Sequence, residues 1–178
     1  MPYLYYMSSA YKNIASLHLR RFLHPQKSGA GREGRRELIE GIPYAMSPAP
    51  APKHQWVSNN LKSEFRVEIK NKGCKNCKVY DFLDVKYSED TVFEPDGLVV
   101  CHDITKKFID FPPKLVFEVL SPSTALKDIH TKSSFYEKFG ILYYLIVDSD
   151  KETVQIFQLI NNQYQEINFN PGLPNIWE

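Results

Sequence analysis

Three ionisable side chains in the middle of the chain have types and settings that could do chemistry together: Asp96, Glu118 and Lys132. Glu118 lies inside Leu115-Val116-Phe117-Glu118-Val119-Leu120, a run with no other charged residue. Strand alternation puts its carboxylate on the face of Val116 and Leu120. An ionised carboxylate there is costly unless a cation meets it. Lys132 follows in a helix-forming stretch. At about 100° per residue, Ala125, Asp128, Phe135, Tyr136 and Phe139 fall within about 60° of it. The lysine therefore sits on the apolar stripe of its helix, where it needs an anion or must lose its charge, and Glu118 and Asp96 are the expected anions. Asp96 follows Pro95, which fixes the backbone before it, and stands at the mouth of the apolar Gly97-Leu98-Val99-Val100. Two carboxylates a few ångström apart suit Mg²⁺ or Mn²⁺, which want hard oxygen ligands. Such an ion lowers the pKa of a bound water and neutralises charge on a phosphate. The ammonium could orient or deprotonate the attacking water and stabilise the pentacovalent oxyanion. The set suffices to hydrolyse a phosphodiester. Blander readings exist for each residue: a salt bridge or an exposed edge position for Glu118, a snorkelling lysine or a plain ion pair for Lys132, and a turn acid for Asp96.

The elements that must position these groups read as follows. Arg36 to Ser47 is a short strand pair turning at Gly41, ended by the proline-rich Ser47-Pro48-Ala49-Pro50-Ala51-Pro52, which cannot continue a ladder. A helix is expected from about Lys53 to Lys72, with Val57, Leu61, Phe65 and Ile69 recurring every fourth residue and Gly73 as its C-terminal cap. Val79 to Tyr87 reads as one strand, Gly97 to Cys101 as another, and Leu115 to Leu120 as a central strand covered on both faces. Ser123 or Thr124 can cap the start of the helix bearing Lys132, and Gly140 its end. Leu142 to Val147 is a strand parallel to the central one by the crossover rule. Thr153 to Leu159 pairs back as an edge strand after the turn Asp148-Ser149-Asp150-Lys151, and one more short strand follows Asn161-Asn162. The whole is an α/β sandwich with a mixed sheet. Before residue 36, Leu17, Leu19 and Leu23 could form one face of a short basic helix, and residues 27–34 have linker composition.

A chain of 178 residues is one domain by size. A hydrophobic share of 43% with 24% charged residues is that of a soluble globular protein. The net charge of +1 provides no global basic field for nucleic acid. No apolar run approaches the roughly 20 residues of a membrane span. Met1 to Met7 lacks the positive start and cleavage site of a secretory signal. With three cysteines, this points to reduced thiols in a cytoplasmic protein. Cys74-Lys75-Asn76-Cys77 has the spacing of a zinc or redox pair, but the second pair is missing. Only Cys101-His102 follows, and adjacent residues seldom ligate one ion together, so these are expected to be turn thiols. The motifs of P-loop, serine-hydrolase and zincin enzymes are absent from the sequence.

Pro95-Asp96, Glu118-Val119-Leu120-Ser121-Pro122-Ser123-Thr124, Asp128, Lys132 and Tyr136 together resemble the Uma family of restriction-endonuclease-like proteins, within the PD-(D/E)XK nuclease superfamily. Glu37-Leu38-Ile39-Glu40-Gly41, Met46-Ser47-Pro48 and His54-Gln55 are similar to that family's opening, and Tyr143-Tyr144-Leu145-Ile146-Val147-Asp148 to its closing strand. The likeness covers roughly residues 36 to 160. It implies a restriction-endonuclease-like mixed sheet flanked by helices over residues 36–178, with 1–35 as an extension. It implies Mg²⁺ or Mn²⁺ held by Asp96, Glu118 and the backbone carbonyl of Val119, with Glu37 completing the site. The superfamily lysine belongs two residues after Glu118, where this chain has Leu120; the resemblance implies its migration to the helix as Lys132. The implied activity is endonucleolytic hydrolysis of nucleic acid, DNA above all, by a homodimer. A catalytically silent nuclease fold acting as a binding module is the competing expectation.

Overall fold

The computed structural model describes residues 13–14, 36–46, 50–121 and 127–167. The described residues form two sheets and two helical segments. The five-stranded sheet runs in the order β1 (Asn13–Ile14), β5 (Val85–Glu89), β6 (Thr91–Phe93), β2 (Arg36–Ile39), β3 (Ile42–Ala45). The six-stranded sheet runs β11 (Gln163–Glu166), β10 (Thr153–Ile160), β9 (Tyr143–Asp148), β8 (Leu115–Val119), β7 (Gly97–Val100), β4 (Lys78–Tyr80). β8 and β9 are parallel and the other neighbours in this sheet are antiparallel, as the intervening helix requires.

The β2–β3 hairpin turns through Glu40 and Gly41, both at positive φ (50° and 81°), the geometry in which a two-residue hairpin matches strand twist. β3 is an edge strand, which accommodates Pro43. The long helix α1 spans Pro52–Asn71 and ends as Gly73 swings to φ +68°. Phe65 and Ile69 of its apolar row are buried, and Phe65 packs on Phe117 of β8 with ring centroids 5.6 Å apart. The crossover helix is π-wound over Lys127–Lys132 and becomes α-helical over Ser133–Lys138 (α2). Every residue of β7 and β8 is buried, so both faces of that strand pair are covered. A bulky aromatic cluster (Tyr87, Phe93, Phe135, Tyr136, Phe139) fills the space between the crossover helix and the smaller sheet.

The structure departs from the sequence expectations in four places. The single strand expected from Val79 to Tyr87 is two strands in different sheets. The chain breaks at residues 81–84, where Phe82 adopts φ 51°, and crosses from β4 to β5. β6 is a further strand, buried throughout. β10 is interior to its sheet, because β11 pairs along its outer side and becomes the edge. Cys101 is brought to Cys74 and Cys77, so these are not independent turn thiols. The expected helix bearing Leu17, Leu19 and Leu23, the 27–34 linker, the Ser123/Thr124 cap and the segment from 171 on lie outside the described residues, as does the side chain of Asp128.

Candidate active site

Strand register brings the first two acids together. The antiparallel pairing of β7 with β8 sets Gly97 opposite Phe117 and Leu98 opposite Val116, so one step further Asp96 stands opposite Glu118. A Cβ on Gly97 would lie within the Phe117 ring. Glycine is what lets the chain leave Asp96 and enter the strand so close to β8. The Asp96 amide donates to Glu118 Oε2 at 3.4 Å, and the Val119 amide donates to Asp96 Oδ2 at 2.9 Å.

The crossover helix supplies the cation. Lys132, the last residue of the π-wound turn, directs its Nζ inward, 2.7 Å from Glu118 Oε1 and 2.9 Å from Glu37 Oε1. Insertion of a π turn rotates the residues after it relative to an α-helix, and such turns recur at functional sites. Tyr136, one turn on, donates its hydroxyl to the same Glu118 Oε1 at 2.7 Å. Glu37 comes from β2 of the other sheet and also accepts from the Glu94 amide at 3.4 Å. Glu37, Glu118 and Lys132 are each 0–3% exposed at the side chain, so this is a buried ion cluster. The ring of Phe93 lies beneath the ammonium, 5.8 Å from its centroid, a cation–π contact in a dry setting.

Asp96 forms the outer rim. The N-terminal turns of α1 meet it twice. His54 Nε2 lies 3.1 Å from Asp96 Oδ2, and Ser58 donates to the Asp96 carbonyl at 3.4 Å. Burial pushes the Asp96 carboxyl up. The hydrogen bond and charge of His54, the Val119 amide and the charge of Lys132 together outweigh it and hold the group below the ordinary aspartate value. The side chains of Asp96 and His54 are 18% and 12% exposed, and the cluster therefore reaches solvent on their side.

Chemically, two carboxylates (Glu37 and Glu118) meet one ammonium, and a third, Asp96, stands beside Glu118 with a histidine at the rim. The local charge is negative unless a further cation joins. Sequence reasoning named Asp96, Glu118, Lys132 and Glu37, and the structure brings all four together. Val119 also lies there, through its backbone. His54 was visible only as part of an opening motif. Tyr136 was visible as a stripe residue and as part of the family motif, without a role; its position four residues after Lys132 could have marked it as a second donor to the same acid.

A family model described as "Putative restriction endonuclease", Uma2, matches residues 21–176. The chain belongs to the Uma2 family. Among solved structures, this Uma2 protein is similar to a protein of Anabaena variabilis ATCC 29413 described as a putative nuclease belonging to DUF820. The identity is 19% over 78% of this chain and 79% of that one, with a TM-score of 0.63, a likeness of fold. No curated relative matches the chain. Family and fold together support a nuclease-like protein. Among the described residues, no helix is long and apolar enough to cross a membrane.

Proposed function

We propose that this Uma2 protein is a divalent-metal-dependent endonuclease that hydrolyses nucleic-acid phosphodiesters, with DNA as the substrate the family description points to. The observation that carries the reading is the ammonium of Lys132 within 2.9 Å of two buried carboxylates, next to a third acid at the surface. The donor set fits Mg²⁺ or Mn²⁺: hard oxygens, an excess of negative charge, and a partly open side. Asp96, Glu118 and the Val119 carbonyl would hold the ion, and Glu37 would complete the polar pocket. When bound, the ion supplies an acidified water and charge neutralisation on the scissile phosphate. Lys132 would supply a fixed positive charge to stabilise the charge that develops on the phosphorane. Tyr136 and Glu37 hold the lysine and Glu118 in register. His54 orients Asp96 through its 3.1 Å contact with Oδ2. The reading extends to a homodimer, to which the exposed Ile42 and Trp56 would offer apolar surface.

The test is cleavage of plasmid and oligonucleotide substrates with Mg²⁺ or Mn²⁺, comparing wild type with Glu118→Gln and Lys132→Met. Loss of roughly 10²-fold or more in rate is expected for each. Metal-dependent cutting that survives both changes refutes the assignment. Nucleic-acid binding without any cutting would leave the fold as a binding module.

A further inference from the structure

A second cluster lies at the other end of the same helix and strand. We propose that Cys74, Cys77 and Cys101 form a structural site for a thiophilic divalent cation, Zn²⁺ by preference, that staples the C-terminal end of α1 to the ends of β4 and β7. This inference does not rest on the nuclease reading.

The placement follows from the backbone. α1 ends at Asn71 and turns through Gly73, which puts Cys74 at its foot. Cys77 directly precedes β4, and Cys101 directly follows β7. β4 and β7 pair antiparallel with Lys78 opposite Val100, so the next pair outward is Cys77 and Cys101. The C-x-x-C turn then adds Cys74. The three Sγ atoms all lie within 4.8 Å of one another.

Three sulfurs at one point require an explanation beyond a disulfide. Cys77 is in bonding contact with both Cys74 and Cys101, but a sulfur makes one disulfide, so that bond would leave a third thiol crowded against it. One cation satisfies all three at once. Zn–S bonds of about 2.3 Å in tetrahedral array set sulfurs about 3.8 Å apart, a triangle that fits inside the 4.8 Å within which the three Sγ atoms lie once Cys77 moves out of bonding contact with its neighbours. Cys77 is buried and the other two are half-buried. The ring of His102 faces Phe111 edge-on with centroids 5.8 Å apart, so the fourth position is not assigned to it. A hollow of about 520 Å³ lined by Arg66, Lys70, Lys78 and Tyr80 adjoins Cys74 and Cys77, and through it water or a small anion could reach a fourth position. Three thiolates and one dication carry a net negative charge, and those basic side chains offset it. They also favour the thiolate form that metal binding needs.

The site would brace from behind the elements that present the rim acid. α1 carries His54 in its first turn, and β7 begins immediately after Asp96.

The experiment is elemental analysis of the full chain purified under reducing conditions, followed by cobalt reconstitution. About one zinc per chain is expected, replaced by Co²⁺ with an intense near-ultraviolet thiolate charge-transfer band. Cys77→Ser and Cys101→Ser should each abolish the band. Asp96→Asn with Glu118→Gln should leave it unchanged, which separates this site from the carboxylate cluster and makes its outcome independent of nuclease activity. Should a serine variant fold poorly, wild type decides the matter: a strong chelator should remove the zinc and lower Tm, and zinc should restore both. No zinc after purification and no cobalt band after reconstitution, a band that survives Cys101→Ser, or a disulfide with one free thiol in the reduced preparation overturns the proposal.

Discussion

Replacing Lys132 with methionine tests the electrostatics of the site without reference to turnover. Methionine keeps most of the stem that packs against Phe93, and a volume-conserving exchange of this kind costs less than about 1.5 kcal/mol in packing. What it removes is the charge that meets Glu118 at 2.7 Å and Glu37 at 2.9 Å. Both carboxylates are at most 3% exposed, so water cannot replace the ammonium. Breaking a buried ion pair from one side costs about 3–5 kcal/mol, and here a single cation serves two anions, which argues for the upper end. Set against a total domain stability of about 5–15 kcal/mol, the variant should fold but unfold at much lower urea, with an unchanged m-value.

The pH dependence has a definite sign. The penalty in Lys132→Met is that of keeping two facing carboxylates charged in a dry pocket. It is fully present well above the ordinary carboxylate range and is relieved as acid protonates one of them. The stability gap to wild type should therefore be widest near neutrality and close towards about pH 4. Adding Glu37→Gln to Lys132→Met should recover stability, although Glu37→Gln alone in wild type should cost it, a non-additivity of about 2 kcal/mol or more. A loss under about 1 kcal/mol at neutral pH, with the two substitutions additive, would refute the reasoning, since it would mean that the carboxylates reach water or that the lysine is not their counter-ion.

Three other outcomes follow from the geometry. Gly97→Ala should destabilise by about 1–3 kcal/mol, because its Cβ would invade the Phe117 ring; an unchanged Tm would refute this. Tyr164→Phe should stabilise by about 1 kcal/mol. The Tyr164 hydroxyl is buried without a hydrogen-bond partner among the described residues, and burial, with the charge of Glu137, raises its pKa well above that of an ordinary tyrosine. Chemical unfolding that shows a loss instead would point to a partner for that hydroxyl. Asp96 is held below its ordinary value of 3.8, so its contribution is present above that value and is lost as pH falls through the depressed folded value. Urea midpoints should therefore fall more steeply in acid for wild type than for Asp96→Asn, and parallel curves would contradict the shift.

Sequence legibility tracked the burial of each segment. The Leu115–Val119 strand, α1 and the β8–β9 crossover were readable because apolar period and caps report directly on packing. Lys132 was readable for the same reason: a cation on an apolar stripe needs an anion. Glu118 is the expected one, but the second ion-pair partner is Glu37, from the other sheet, rather than Asp96. What failed depended on partners distant in the chain. The break at residues 81–84 separates two apolar runs that look continuous, and Phe82 in the left-handed region gives no compositional warning. The cysteine triad was missed because Cys101 meets Cys77 through sheet register, at a separation of 24 residues that no local motif encodes. His54 likewise reaches Asp96 only because α1 packs across the mouth of β7.

The same packing accounts for a lysine on the crossover helix rather than on β8. A lysine two residues after Glu118 would stand on the Glu118 face of β8, and that position holds Leu120, which packs on the core. Approaching from the crossover helix, the ammonium reaches over the strand instead, and so meets Glu118 and Glu37 from two different sheets at once. A strand-borne lysine would neutralise its neighbour in its own sheet, whereas Lys132 also ties the two sheets together. The cost is that the cation becomes structural as well as chemical, because removing it uncovers a carboxylate on each side. Any activity measured on a Lys132 variant is therefore interpretable only beside its stability. A charge-preserving Lys132→Arg is the sharper probe of chemistry. Its planar guanidinium can retain an ionic bridge but cannot reproduce the compact point charge of an ammonium. If the lysine acts only as a tie between sheets, Lys132→Arg should keep both stability and cutting. If it acts on the phosphate, stability should largely remain while cutting falls.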